Sequence, residues 1–280
     1  MFFNTVRIVV ETNSATEYGT GFFVEYTFDD DLLMVYLVTA AHLFENGSRG
    51  SITFLRKEDD KPLLQPYVLE VNGFDKLFVQ HPNERVDVAV APFGEMLSHL
   101  IRDEGINPYW HATLRSDAAG PQDFDRMDSV EEIRFVGYPS GHYDRVNGLP
   151  IIRQGITATP PSIDYNGDPV FLIDGAVYFG SSGSPVFTNP NRPAIPSFRF
   201  LGVLSEMVRA SVTGAVENVP PAITMEALRT ARLLNLGIVY KTATIYEAIE
   251  HHARLNNWPA AIRDALRATS HAKATPPNSR

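Results

Sequence analysis

Hydrophobic and polar positions over the first third of the chain alternate in short runs that are repeatedly interrupted by turn residues. Thr5 to Val10, Gly21 to Tyr26, Leu33 to Thr39, Ser51 to Leu55, Tyr67 to Val71 and Val86 to Ala91 are rich in Val, Ile, Phe and Tyr, the pattern of β-strands. Asp29-Asp30-Asp31 is expected at a solvated hairpin tip. The period then changes. Between Glu95 and Glu104 the spacing puts Met96, Leu97, Leu100 and Ile101 on one helical face, with Gly105 as the stop. A polar connector runs to Asp128. A second strand set follows at Glu132 to Val136, Ile151 to Thr157, Val170 to Ile173, Pro185 to Thr188, Phe198 to Leu204 and Leu236 to Tyr240.

The C-terminal stretch returns to a helical period. Thr244 and Glu247 have capping-box spacing, and Ile245, Ala248, Ile249 and Leu255 form a stripe expected to pack on the second half. A short helix is expected from Pro259 to Thr269, and a loose tail from Ser270 to Arg280. The pattern as a whole predicts a mainly β protein of two antiparallel six-stranded barrels. The expected divisions are an N-terminal barrel over 1–94, a helix-bearing linker over 95–130, a second barrel over 131–243, and C-terminal helices with a tail over 244–280.

Composition narrows the function classes. With 280 residues, 44% of them hydrophobic, the chain is long enough to bury a real core, and its scattered 20 prolines and 19 glycines suit many short strands. The net charge of −9 comes with no basic stripe, which argues against a nucleic-acid or anionic-membrane partner. There is no cysteine, so disulfides and thiolate metal sites are excluded. Met1 to Val10 lacks the basic-then-apolar pattern of a signal peptide, and no apolar run is long enough to span a membrane. The expected setting is cytoplasmic and soluble.

Three strings carry chemistry: Val38-Thr39-Ala40-Ala41-His42, Val86-Asp87-Val88-Ala89-Val90 and Phe179-Gly180-Ser181-Ser182-Gly183-Ser184-Pro185. A serine hydroxyl is a poor nucleophile at neutral pH. It needs a base in reach, a group that fixes the base's tautomer, and N–H donors for the oxyanion. His42, Asp87 and Ser182 supply the base, the orienting group and the nucleophile. Taken singly, each string is common; their joint occurrence in the order His, Asp, Ser is not.

On these residues the sequence resembles a trypsin-like, chymotrypsin-fold serine peptidase, and the Gly180-Ser181-Ser182-Gly183-Ser184-Pro185-Val186-Phe187 string is most similar to the bacterial glutamyl-endopeptidase and high-temperature-requirement branches. The resemblance covers roughly residues 5 to 250. It takes in Gly19-Thr20-Gly21-Phe22-Phe23, the Gly137-Tyr138-Pro139 turn and Asp174, eight residues before the serine. It implies that Ser182, the third residue of its motif, is the nucleophile rather than Ser181 or Ser184, and that the N–H groups of Gly180 and Ser182 form the oxyanion hole. It also implies that Gly202-Val203-Leu204-Ser205 runs beside the substrate backbone, with Ser205 near Asp87 and with Glu206 and Met207 at the pocket rim.

Two departures from the resemblance bear on control and specificity. Zymogen-type relatives carry an aspartate where this chain has Ser181, so activation by N-terminal cleavage is not expected, and control falls to substrate access, partner docking or ordering of the loops around Gly180. Basic-selective members carry an acidic residue where this chain has Ala176, so Ala176, Ser205, Glu206 and Met207 together suggest a small or apolar residue before the scissile bond. His81 has no partner at metal-like spacing and is expected to be a loop residue; no metal and no cofactor are expected. His251 and His252 are expected to be structural, Asp164 to Asp168 to be a hairpin turn rather than a calcium loop, and His142 and Asp144 lie in a loop that could border the cleft. The expected function is a serine endopeptidase acting on a protein or peptide, latent until a substrate or regulatory protein partner docks. The alternative is a catalytically silent peptide-binding or scaffolding module on the same fold.

Overall fold

The strands divide into two antiparallel sheets, seen in a computed structural model that describes residues 2–12, 16–29, 32–44, 47–188, 198–209 and 233–260. The first sheet contains β1 (Thr5–Glu11), β2 (Thr16–Asp29), β3 (Leu32–Thr39), β4 (Arg49–Glu58), β5 (Lys61–Asn72), β6 (Val79–Gln80), β7 (Ala89–Pro92) and β8 (Pro108–Tyr109). Its order is β5-β4-β1-β2-β3-β7-β6, with β8 added on β4. The second contains β9 (Glu132–Gly137), β10 (Ile151–Thr157), β11 (Val170–Gly175), β12 (Ser184–Thr188), β13 (Phe200–Arg209) and β14 (Leu233–Lys241). These six close into a barrel in the order β10-β11-β14-β13-β12-β9.

The second half is therefore the expected six-stranded barrel. The first differs: it is an eight-stranded sheet whose ends, β5 and β6, are not joined among the described residues. The physical reason lies in the end strands. β5 is mostly solvent-exposed along its length and offers no continuous apolar face, and β6 is two residues long.

The core follows the strand period. On β1, Val6, Ile8 and Val10 are buried and alternate with the half-exposed Arg7 and Val9. In β2 and β3 the runs Phe22-Phe23-Val24 and Tyr36-Leu37-Val38 are buried without alternation, because both faces of the sheet are covered. Phe23 and Leu37 enter a cluster with Ile8, Ile52, Phe54 and Phe93. Phe22, Val24, Tyr36 and Val38 enter another that reaches into the second half through Phe187, Phe200 and Val203. The barrel has its own interior of Ile133, Phe135, Phe171, Ile173, Val186, Leu201, Leu204 and Val239.

Four α-helices are described: α1 (Phe74–Leu77), α2 (Phe93–Arg102), α3 (Pro121–Asp125) and α4 (Thr242–Leu255). α2 begins two residues before the expected start and buries Phe93, Met96 and Leu100, while Ile101, expected on the same face, is 48% exposed. α4 begins at Thr242, so Thr244 does not cap it; the Thr244 hydroxyl donates back to the Lys241 carbonyl at 2.8 Å, and Glu247 turns to His81 instead. Ile245, Ala248 and Ile249 are fully buried, whereas Leu255 is exposed.

This stripe does not pack on the second half alone. It lies against Val86, Val88 and Val90 of the first half as well as Phe200 and Val203 of the second, so α4 fastens the two halves together. Each buried isoleucine contributes about 1.5–3 kcal/mol to that union. The expected Asp30-Asp31 tip and the helix beyond Ala260 lie outside the described residues. No described helix is long and apolar enough to cross a membrane.

Candidate active site

His42 follows the end of β3. After Thr39 the chain passes through the extended Ala40 into a single 3-10 turn, Ala41–Leu43. Ala41 and Leu43 are buried on either side of His42, which leaves the imidazole partly exposed at the edge of the sheet.

Asp87 sits where the sequence pattern suggested a strand interior. β7 starts only at Ala89; before it, the Val88 N–H donates to the Val86 carbonyl at 2.9 Å, a three-residue turn with Asp87 at its apex. Val86 and Val88 are buried and hold that turn against the core. The Asp87 carboxylate then meets His42 with both oxygens: Oδ2 lies 2.6 Å from the imidazole Nδ1, and Oδ1 accepts the His42 backbone N–H at 2.8 Å. The Ser205 hydroxyl donates to Oδ2 as well. An ionised carboxylate only accepts, so Nδ1 carries the hydrogen and Nε2 is left with a lone pair, the tautomer that a general base requires.

Burial of the Asp87 carboxyl pushes its pKa up, but the hydrogen bond and charge of His42, the Ser205 hydroxyl and the His42 N–H outweigh it, and the net shift is downward. The turn is clamped from behind. His81 donates its backbone N–H to the Val88 carbonyl at 2.9 Å, and its Nδ1 accepts the Asn83 N–H at 3.0 Å. The ring hydrogen is therefore on Nε2, which donates to Glu247 of α4 at 3.0 Å. His81, expected to be a loop residue, is 6% exposed and joins the Asp87 loop to the C-terminal helix. That pairing, across 166 residues of sequence, had no local signal.

Ser182 lies in the loop between β11 and β12, held from two sides. On one side, Thr20 donates its N–H to the Ser182 carbonyl at 2.8 Å and its hydroxyl to the Gly180 carbonyl at 3.1 Å. The Thr20 hydroxyl also accepts the Tyr138 N–H at 3.2 Å, and the Thr20 carbonyl accepts the Thr39 hydroxyl at 2.8 Å, three residues before His42. Gly183 packs directly on this pair. It has φ +84°, and a Cβ there would fall 1.8 Å from the Thr20 oxygen and 2.6 Å from the Thr39 hydroxyl, so only glycine fits. On the other side, the Gly183 N–H donates to the Leu204 carbonyl at 2.7 Å, next to Ser205. The Ser182 loop is thus anchored both to the strand that leads into His42 and to the strand whose serine holds Asp87.

Of the three serines in the motif, Ser181 and Ser184 are buried and Ser182 is partly exposed. The N–H groups of Ser181, Gly183 and Ser184 donate to Tyr178, Leu204 and Ser181 carbonyls respectively. Among the described residues the N–H groups of Gly180 and Ser182 donate to none. Gly180 has φ +82°, and a Cβ there would lie 2.5 Å from the Tyr138 carbonyl.

The remaining expected residues fall as follows. Ala176 is exposed at the start of the same loop, beside the exposed Tyr178 and Phe179. Ser205 is 2% exposed, and its hydroxyl is committed to Asp87. Glu206 and Met207 lie on β13, but their side chains lie outside the described residues. Asp144 caps its own turn by accepting the Val146 and Asn147 N–H groups, and His142 Nδ1 lies 3.2 Å from the Ser140 carbonyl oxygen. His252 is buried between Tyr36 and Trp258, where burial lowers its pKa, and it packs as part of the core.

No curated protein matches the sequence. Solved structures that resemble the fold include Rv3671c from M. tuberculosis H37Rv, an inactive mutant form, at 17% identity over 89% of this chain and 85% of that one with a TM-score of 0.43. The HtrA-type protease AlgW with a tripeptide is 11% identical over 89% of this chain and 59% of its own, with a TM-score of 0.47. A serine endoprotease from Yersinia pestis is 13% identical over 90% and 63%, also at 0.47. The decisive match is by sequence: the profile of the trypsin-like peptidase domain covers residues 19–193, more than half of the chain and all three strings around His42, Asp87 and Ser182, and the chain belongs to that family.

Proposed function

We propose that the chain is a serine endopeptidase that hydrolyses peptide bonds through an acyl-enzyme on Ser182. The observation that carries this reading is the two-oxygen grip of Asp87 on His42, which fixes the ring and leaves Nε2 basic. His42 Nε2 takes the Ser182 hydroxyl proton as Oγ attacks the scissile carbonyl carbon. Asp87 stabilises the imidazolium that forms. The carbonyl oxygen, now an oxyanion, is received by the otherwise unengaged N–H groups of Gly180 and Ser182. Collapse breaks the C–N bond, and the proton passes from His42 to the leaving amine. Water then attacks the ester with His42 again as base, which releases the acid and restores Ser182.

The occupant of the cleft is a protein or peptide. Control rests with a docking partner or the substrate itself, because Ser181 is buried against Tyr178 and offers no carboxylate to a freed amine. Labelling of the purified chain with a fluorophosphonate tests the reading. Covalent modification lost in Ser182→Ala and kept in Ser181→Ala supports it. An unlabelled wild-type chain that nevertheless binds peptides would favour the silent scaffolding module.

A further inference from the structure

Asp87 sits on a part of the first sheet that has little hold on it. Residues 81–88 join β6, which is two residues long and ends the strand order, to β7, which starts at Ala89. The two strands pair only at Val79 with Val90 and Gln80 with Ala89. Pro82, Asn83, Glu84 and Arg85 are exposed. A loop hung from so short an edge pair keeps one geometry only where something outside it supplies anchors.

The second half supplies them. At the exit of the Asp87 turn, the Val88 carbonyl accepts the His81 N–H, and the His81 ring is bonded to Glu247. At its entry, the Tyr240 hydroxyl donates to the Arg85 carbonyl at 2.9 Å. The N–H at the other end of that same peptide unit, on Val86, donates to the Asn83 carbonyl at 2.9 Å. A trans peptide is planar with its C=O and N–H pointing opposite ways, so bonds at both ends fix the orientation of the unit that leads into Asp87.

Tyr240 itself is firmly placed. β14 lies between β11 and β13 in the closed barrel, where Tyr240 is opposite Val170 on one side and Val203 on the other. Its ring packs on the cluster that contains Val86 and Val88, the two residues flanking Asp87. The Arg85 side chain adds less. Its guanidinium reaches both Asp168 oxygens, at 2.8 and 3.1 Å, but the side chain is 74% exposed, and an ion pair in solvent contributes little.

We propose that Tyr240 is a positioning residue for Asp87 and His42, acting through the Arg85–Val86 peptide. The proposal rests on the reading of His42 and Asp87 as base and orienting group. A rotation of that peptide swings the Asp87 backbone, and with it the two oxygens that meet the His42 Nδ1 and N–H. Without the hydroxyl, the exposed Arg85 carbonyl is left to water, which satisfies it from any direction.

The test compares two full-length variants. Tyr240→Phe keeps the ring and its packing; Tyr67→Phe removes a tyrosine hydroxyl bonded to Glu104, on β5 at the other end of the strand order. Amide hydrogen exchange reads the His42 N–H, which Asp87 Oδ1 accepts, against the amides of β1 in the same preparation, so that a global change in stability cancels. In Tyr240→Phe the relative protection of His42 should fall about two- to tenfold, the range that one neutral hydrogen bond is worth, and fluorophosphonate labelling should slow by a similar factor. Tyr67→Phe should change neither. Arg85→Ala, which keeps the carbonyl that Tyr240 holds, should stay close to wild type. Unchanged His42 protection in Tyr240→Phe overturns the proposal, as does an equal loss in Tyr67→Phe or in Arg85→Ala. Exchange is read without turnover, so a wild-type chain that does not label would refute Ser182 as nucleophile and leave this measurement decisive for Tyr240.

Discussion

The backbone N–H of Thr20 donates to the carbonyl oxygen of Ser182 at 2.8 Å, and through that bond the first sheet holds the Ser182 loop of the second half. The Thr20 hydroxyl reinforces it at Gly180 and Tyr138, and the Thr20 carbonyl passes the contact on to Thr39, at the root of the His42 turn. One fully buried threonine therefore ties the Ser182 loop to the strand that leads into the His42 turn.

Thr20→Val keeps the shape of the side chain and removes its hydroxyl, leaving the Gly180 carbonyl and the Tyr138 N–H without their partner. A loss of about 1–3 kcal/mol in stability is expected for each group left unsatisfied in the interior. The rate of fluorophosphonate labelling should fall by more than the folded fraction alone explains, and Thr20→Ser should restore both. Urea denaturation and labelling rates measured on the same preparations check this; a valine variant that labels at the wild-type rate would refute the positioning role.

Asp87→Asn should lower turnover by about 10⁴-fold, because an amide facing Nδ1 no longer enforces the tautomer in which Nε2 carries no hydrogen. Ser205→Ala should cost less, since the carboxylate and both of its bonds to His42 remain. Steady-state kinetics on a common peptide substrate ranks the two variants, and equal losses would contradict the separate roles of carboxylate and hydroxyl.

The depressed Asp87 pKa gives a signed pH dependence. A carboxyl held below its ordinary value of 3.8 stabilises the fold fully above that value, and the contribution is lost as pH falls through the lower, folded value. The stability difference between wild type and Asp87→Asn should therefore shrink as pH falls below 3.8. In Ser205→Ala, which loses one donor to the carboxylate, the acid loss should begin at higher pH. Denaturant titrations across this range read both effects.

The sequence made much of this site legible and left particular parts hidden. β10 has the bounds expected from its pattern, and His42, Asp87 and Ser205 meet as their spacing along the resemblance implied. Val86 to Ala91 has strand periodicity throughout, yet a turn interrupts it at Asp87, because the carboxylate's bonds to His42 and the His81 anchor at Val88 draw that backbone out of the ladder. Thr244 and Glu247 have the spacing of a capping box, but a local pattern has no view of His81, which claims the glutamate from the Asp87 loop.

Glu247 should matter to catalysis although it touches neither His42 nor Ser182. Glu247→Ala leaves the buried Nε2–H of His81 without an acceptor and loosens the clamp behind Asp87. A stability loss of about 1 kcal/mol and a fall in labelling rate are expected, whereas Glu247→Gln, whose amide oxygen still accepts, should be near wild type. If alanine and glutamine behave alike, the bond from His81 to α4 does not position the Asp87 turn.

The register of the nucleophile can be tested through the stability of its neighbour. Ser184 is fully buried and its hydroxyl has no hydrogen-bond partner, because Gly137, whose added Cβ would lie 2.2 Å from that oxygen, closes the space around it. Its backbone N–H, by contrast, is satisfied at the Ser181 carbonyl, and substitution leaves that bond intact. Removing an unsatisfied buried hydroxyl with little change in volume spares the protein its desolvation cost, so Ser184→Ala should be neutral or stabilising by about 1 kcal/mol. It should also keep fluorophosphonate labelling and peptide hydrolysis. Ser182→Ala should do the opposite, with stability close to wild type because the side chain is partly exposed, and with labelling abolished if Ser182 is the nucleophile proposed above. A Ser184→Ala chain that folds but does not label would move the nucleophile two residues along the loop and overturn the assignment of Ser182.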